Sequence, residues 1–197
     1  MDATNKLICE TMNIKRGDIL PFSGWNMKGK RDDFPGIFAK LGFTKGAEIG
    51  TSQGTYAKIL CDGIPNLHLL CVDPYMAYQR ASQRLMDECL ARAQQRLAGC
   101  PVEFIRKPSM DAVKDVPDGS LDFVYIDGDH RFDFVMMDII EWSKKVRKGG
   151  IVSLHDYYKF YQAGVIRAVD AYTIAHNITM WYVTREMMPS ALWVKFW

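Results

Sequence analysis

Between Lys45 and Ala175 the chain alternates short apolar runs with longer stretches of helical period, and no other feature limits its fold so sharply. The runs are KGAEIG (45–50), LHLLCVD (67–73), VEFIRK (102–107), LDFVYID (121–127) and GIVSLHD (150–156). Runs this short and this apolar suit strands buried on both faces, which requires helices on both sides of a parallel sheet. Helices are expected over Thr55–Cys61, Met76–Ala98, a short piece near Met110–Val116, Phe132–Val146 and Gly164–Ala175. Leu85, Cys89, Ala93 and Leu97 form one stripe, and Val135, Ile139, Trp142 and Val146 another. After these come ITMWYVTR and ALWVKFW, separated by a turn containing Pro189, the pattern of an antiparallel hairpin. The expected architecture is a seven-stranded, mostly parallel α/β sheet closed by a C-terminal hairpin. Residues 46–197 would form that domain. Residues 1–45, rich in Gly, Pro and charge around Phe22, Trp25 and Met27, would form an N-terminal arm or a lid. A helix is expected over Phe34–Leu41, ended by Gly42.

Acids mark the ends of these runs. Asp73, Asp127 and Asp156 each follow a run directly, and Glu48 lies just before the end of the first. In an open parallel sheet these ends share one edge, where ligands bind at the switch in strand order. Several carboxylates in register are costly unless donors or cations meet them, so a site is expected there. The first turn, EIGTSQGT (48–55), has Gly50 and Gly54 for a tight turn and a close helix start. It lacks both the dinucleotide spacing and the Gly-Lys-Ser/Thr of a phosphate loop. A nucleoside-type ligand is therefore favoured over a pyrophosphate, with Asp73 placed for ribose hydroxyls.

The 25 Lys+Arg against 23 Asp+Glu leave a net charge of +2, no electrostatic reason to expect nucleic acid or a membrane surface. No apolar stretch approaches the roughly 20 residues of a membrane helix. Five cysteines without a Cys-x-x-Cys pair, and no signal-peptide pattern at the start, suit reduced thiols in a cytoplasmic protein.

AEIGTSQGTYA, LLCVDPY, FVYIDGDHRFD and GGIVSLHDY together resemble the successive motifs of class I S-adenosylmethionine-dependent methyltransferases. The similarity is to the small branch with an Ile-Asp-Gly-Asp-His motif, the macrocin-type sugar O-methyltransferases, and more distantly to catechol O-methyltransferase. It spans about Phe34 to Trp197 and implies a Rossmann-like methyltransferase fold. The resemblance implies that Glu48, Gly50, Thr51, Ser52 and Gly54 cradle the methionine end of the cofactor. Asp73 would bind the ribose, Pro74 and Tyr75 would flank the adenosine, Ser109 would lie near the adenine, and Asp127 beside the methyl group. By the same resemblance Asp127, His155 and Asp156 would hold Mg²⁺ or another divalent ion. The imidazole of His155 suits Mn²⁺, Fe²⁺ or Zn²⁺ better than Mg²⁺.

His130 is the candidate base for a hydroxyl nucleophile, with Asp129 to orient it; a structural role as a cap or loop holder is the other reading. His68 and His176 are read as structural. The expected acceptor is a small molecule, sugar or aromatic, gripped by Trp25, Met27 and the cluster Tyr157, Tyr158, Phe160 and Tyr161. A homo-oligomer is compatible with the C-terminal Phe-Trp. Three other readings stay open: N- or macromolecule methylation, a non-catalytic binder of adenosine nucleotides, and, with less support, an NAD oxidoreductase.

Overall fold

The computed structural model describes residues 1–14, 29–78, 81–159 and 161–197. The strands are β1 (Lys45–Ile49), β2 (His68–Val72), β3 (Val102–Ile105), β4 (Leu121–Ile126), β5 (Val146–Leu154), β6 (Trp181–Val183) and β7 (Ala191–Val194). They form one sheet in the order β3-β2-β1-β4-β5-β7-β6. Neighbours from β3 to β5 are parallel, and β7 lies antiparallel between β5 and β6. The strand order reverses at β1/β4, so the switch point falls between the Glu48 and Asp127 strands.

The helices are α1 (Ala3–Thr11), α2 (Phe34–Lys40), α3 (Thr55–Gly63), α4 (Gln83–Arg96), α5 (Ser109–Ala112), α6 (Phe132–Lys145) and α7 (Gly164–Ala175). Two apolar clusters cover the two faces of the sheet. One is built on Trp142, Ile139, Val135 and Val169 from α6 and α7. The other joins Ile8 and Met12 of the first helical segment to Phe34, Phe38, Leu60 and Phe123. The N-terminal helix thus packs into the domain core, and what lies outside the described residues is the stretch 15–28 carrying Phe22, Trp25 and Met27.

Boundaries moved for identifiable reasons. The helix expected from Met76 starts at Gln83, because Ser82 is its N-cap and accepts the Leu85 N–H at 3.3 Å. Tyr78 and Ala81 instead form an isolated bridge. α6 runs straight into β5, and Val146, the last residue of the expected helical stripe, is already strand. The side chain of Lys195 is buried, and Nζ donates to Val146 O at 2.7 Å and Lys144 O at 3.4 Å. It thereby supplies a cation to the carbonyl end of α6, where the helix dipole is negative.

Candidate active site

The β1–α3 turn is shaped by one contact. Gly50 has φ +90°, and a Cβ there would lie 2.1 Å from the Asp127 carbonyl oxygen. The ends of β1 and β4 are also tied by Asp127 N–H donating to Ile49 O at 2.7 Å. Only glycine admits this approach. The next residues pass close to Asp73, whose Oδ2 accepts the Ser52 N–H and Oδ1 the Tyr75 N–H, each at 2.9 Å. Gly54 starts α3 in the left-handed region, and a Cβ there would meet Leu97 at 3.1 Å, so α4 packs directly on the turn. Arg96 of α4 reaches back to the Gln53 carbonyl and to Thr55 Oγ1.

Glu48 is 2% exposed, and its Oε2 has no hydrogen-bond partner. Burial and the neighbouring Asp127 push its pKa up to about 8, against donors at Thr51 and Ala57. A buried carboxyl oxygen without a donor implies a missing one. Asp73 is also shifted upward by burial, with the Tyr75 and Ser52 amides opposing.

At the other side of the switch point two histidines and two aspartates converge. His130 Nε2 is 2.6 Å from Asp156 Oδ2 and 3.8 Å from Asp127 Oδ1. His155 Nδ1 is 3.4 Å from Asp127 Oδ1 and 3.2 Å from Asp156 Oδ1. Burial would raise the Asp156 pKa, but His130 and His155 outweigh it and hold the carboxyl well below the usual range. Asp156 raises the pKa of His130, against burial. Burial opposes charge on His155 too, yet the Asp127 and Asp156 carboxylates shift its pKa to about 9. A second contact works the other way: Arg31 Nη1 sits 2.9 Å from His155 Nε2. A guanidinium can only donate, so Nε2 must accept and carry no proton. The carboxylates thus favour a charged ring, and the guanidinium a neutral one with its proton on Nδ1.

Several residues occupy places other than those expected. Asp129 does not orient His130. Its carboxylate is held by Arg131 through the backbone N–H at 2.9 Å and the guanidinium at 2.6–3.1 Å, and the acid on His130 is Asp156. Burial opposes charge on Asp129, but Arg131 outweighs it and lowers the pKa. The Tyr75 side chain is turned inward. It is 1% exposed, packs with Cys89 and Leu90, and donates its hydroxyl to Ser52 O at 2.8 Å, locking the turn from behind; Pro74 beside it is half-buried.

Ser109 accepts Trp142 Nε1–H at 2.7 Å and donates to Asp138, so its hydroxyl links α5 to α6. Tyr157 donates to Asp170 at 2.8 Å and packs edge-on against Trp181, a structural use, while Tyr158 stays exposed. Phe160 and the side chain of Tyr161, like Trp25 and Met27, lie outside the described residues.

The sequence reading missed Arg31 and Asp138. Arg31 stands among the charges of KGKRDD, where nothing distinguishes it. Asp138 falls on the buried side of α6 between Val135 and Ile139, and a charge inside an apolar stripe was the available signal.

Among the described residues, Asp127, His130 and Asp156 offer ligand-type atoms within 4.8 Å of one another. His155, the third residue of the expected metal set, has Nε2 against Arg31 and Nδ1 at 3.4 and 3.2 Å from Asp127 Oδ1 and Asp156 Oδ1, while the buried Asp156 Oδ1 has no hydrogen-bond partner among the described residues.

The family described as methyltransferase domain matches residues 47–157, more than half of the chain. No curated protein matches in sequence. Solved structures with a similar fold include the O-methyltransferase from Bacillus cereus in complex with SAH, with 14% identity, 99% of this chain and 92% of that chain covered, and a TM-score of 0.62. The O-methyltransferase TomG from Streptomyces achromogenes, in complex with SAM, has 14% identity, coverage of 99% and 91%, and a TM-score of 0.58. A tRNA methyltransferase from Aquifex aeolicus has 15% identity, coverage of 100% and 77%, and a TM-score of 0.61. At these identities the structures establish the shared Rossmann-like fold, and the match over residues 47–157 establishes the family: the chain belongs to the methyltransferase-domain family.

Proposed function

We propose that the chain transfers a methyl group from S-adenosylmethionine to a hydroxyl oxygen of a small-molecule acceptor. The observation that carries this reading is the pairing, across one switch point, of a buried Glu48 oxygen lacking a donor with the His130–Asp156 pair. S-adenosylmethionine supplies, when bound, a methyl group on a cationic sulfur. Glu48 Oε2 suits its ammonium group, the Gly50–Gly54 turn its close approach, and Asp73 the ribose hydroxyls, while Asp127 closes the edge. Thr51 and Ser52 belong to that turn; Tyr75 is its buried support, and Pro74 and Ser109 are half-buried beside the strand ends.

His130 is the base. Its Nε2 lies 2.6 Å from Asp156 Oδ2, and that carboxylate stabilises the imidazolium formed when the ring takes the acceptor's hydroxyl proton. Such a base contributes typically 10²–10⁴-fold. Alignment of the two reacting groups contributes roughly 7–11 kcal/mol. A small acceptor accords with the net charge of +2, which provides no broad cationic field for a polyanion. No helix among the described residues is long and apolar enough to cross a membrane.

Calorimetric titration with S-adenosylhomocysteine and with NAD tests the cofactor. Binding of the first, absence of the second, and a loss of more than about tenfold in Asp73→Ala are expected. Equal binding of both, or unchanged affinity in the variant, refutes the assignment.

A further inference from the structure

At the end of the sheet opposite the strand-end site, the C-terminal turns of α6 and α7 and the last residues of the chain enclose a second cavity. It measures about 510 Å³ and is lined by Ser143, Lys148, Tyr172, His176, Lys195 and Trp197, beside Val146. Val146 begins β5, whereas His155 and Asp156 follow its end, and a strand of 9 residues spans roughly 25 Å. We propose that this cavity binds a small planar carboxylate, its acid group on Lys195 and its ring against Trp197, whether or not methyl transfer occurs at the other edge.

The reason is a set of buried donors without acceptors. Lys195 is 8% exposed, and two of its N–H groups go to the carbonyl oxygens of Val146 and Lys144. An ammonium has three. Among the described residues the third has no acceptor, and no carboxylate pairs with this charge. Burial pulls the Lys195 pKa below its ordinary value, with Asp118 opposing. A buried ammonium is costly until an anion meets it.

Ser143 is 2% exposed, and its Oγ lacks a hydrogen-bond partner among the described residues, with the Tyr172 hydroxyl beside it. Trp193 is fully buried and packs on Tyr172 with ring centroids 5.8 Å apart, and its Nε1–H also lacks an acceptor there. Lys195 continues the β7 pairing through its N–H on Gly150 O at 2.9 Å, so alternation puts Trp193 and Lys195 on one face. The donors thus gather around Tyr172, and a guest that satisfies them has to bring acceptors.

Charge around the cavity agrees. Lys144 is paired with Glu141, and Arg147 with Asp122, at 2.7 Å each. The lining acid Asp118 is held by Lys145, also at 2.7 Å. Lys195 and Lys148 are left to face the cavity without an ion pair among the described residues.

The rings set the shape of the guest. Trp197 lies parallel to His176, with 4° between the planes and centroids 5.5 Å apart, and Tyr172 stands 4.2 Å from His176. Trp197 is 49% exposed, which leaves ring surface open to a further aromatic group. The volume lies within the range of small-molecule sites, about 300–1,000 Å³.

The test is calorimetric titration of the full chain with indole-3-carboxylate, with the uncharged indole-3-carboxamide, and with inorganic phosphate. The wild type should bind the carboxylate at one site with a Kd below about 1 mM. The amide lacks the charge and phosphate lacks the ring, so each should bind at least about tenfold more weakly. Lys195→Met and Trp197→Ala should each weaken the carboxylate at least about tenfold, and Asp127→Asn at the other edge should leave it within about twofold. Trp197→Ala removes an exposed side chain and keeps the test open if Lys195→Met fails to fold. No saturable binding of the carboxylate by the wild type up to about 10 mM overturns the proposal. So does affinity that Trp197→Ala retains, or an amide or phosphate that binds as tightly as the carboxylate. Binding lost in a folded Asp127→Asn would put the acid at the strand edge and overturn it as well.

Discussion

Replacing Glu48 by glutamine removes the least comfortable charge in the molecule. The carboxyl is 2% exposed, and its pKa stands at about 8 against an ordinary 4.5. The folded state therefore holds this proton more tightly than the unfolded chain. Between pH 4.5 and 8 the native state binds more protons, so stability falls as pH rises through that window. With these two values the penalty is about 0.8 kcal/mol at pH 5 and about 3.3 kcal/mol at pH 7. Glutamine has the same shape and does not titrate. The difference in unfolding free energy between Glu48→Gln and wild type should therefore rise by about 2.5 kcal/mol from pH 5 to pH 7, and level off above pH 8. Urea denaturation of both proteins at pH 5, 6, 7 and 8 measures it. The same variant should bind S-adenosylhomocysteine more weakly, because an amide cannot offset an ammonium group. Parallel stability curves across this range would refute the argument, since they would mean Glu48 is ionised in the fold and already has a partner.

Other consequences are equally direct. Gly50→Ala places a methyl group 2.1 Å from the Asp127 carbonyl at φ +90°. It should cost about 3 kcal/mol or more, lowering Tm by roughly 6–12 °C in thermal unfolding; a loss under 2 °C would mean the turn relaxes freely. His130→Ala should reduce methyl transfer about 10²–10⁴-fold while S-adenosylhomocysteine affinity stays within a few-fold, measured as product release with a hydroxylated acceptor; retained turnover removes the base. Because Asp156 raises the His130 pKa, the rate should rise with pH through a midpoint above 6.5, and Asp156→Asn should move that midpoint down. Ser109→Ala leaves the Trp142 N–H without its acceptor and Asp138 without its donor. A loss of about 1–3 kcal/mol is expected in denaturation, and an unchanged midpoint would show that water replaces the hydroxyl.

The site's outline was readable in the chain because its residues sit at strand ends. Asp73, Asp127 and Asp156 follow apolar runs, and the parallel sheet brings such ends to one edge whatever the helices do between them. The pairings were not readable. Asp129 is one residue from His130, yet it turns to Arg131, two residues on, while His130 pairs with Asp156, 26 residues away (156 − 130). Adjacent side chains in an extended loop diverge, whereas neighbouring strand ends face each other.

From the amino-acid order alone come the strand runs, the parallel layering, the closing hairpin and the acidic edge, because periodicity and burial act over a few residues at a time. Tertiary structure decided which acid meets which histidine, that Ser109 and Tyr75 support the turns from inside, and that Arg31 reaches His155 across 124 residues. Those contacts depend on where side chains converge once the sheet is assembled. A polar group commits its proton to whichever partner is then nearest, and no spacing along the chain records that choice.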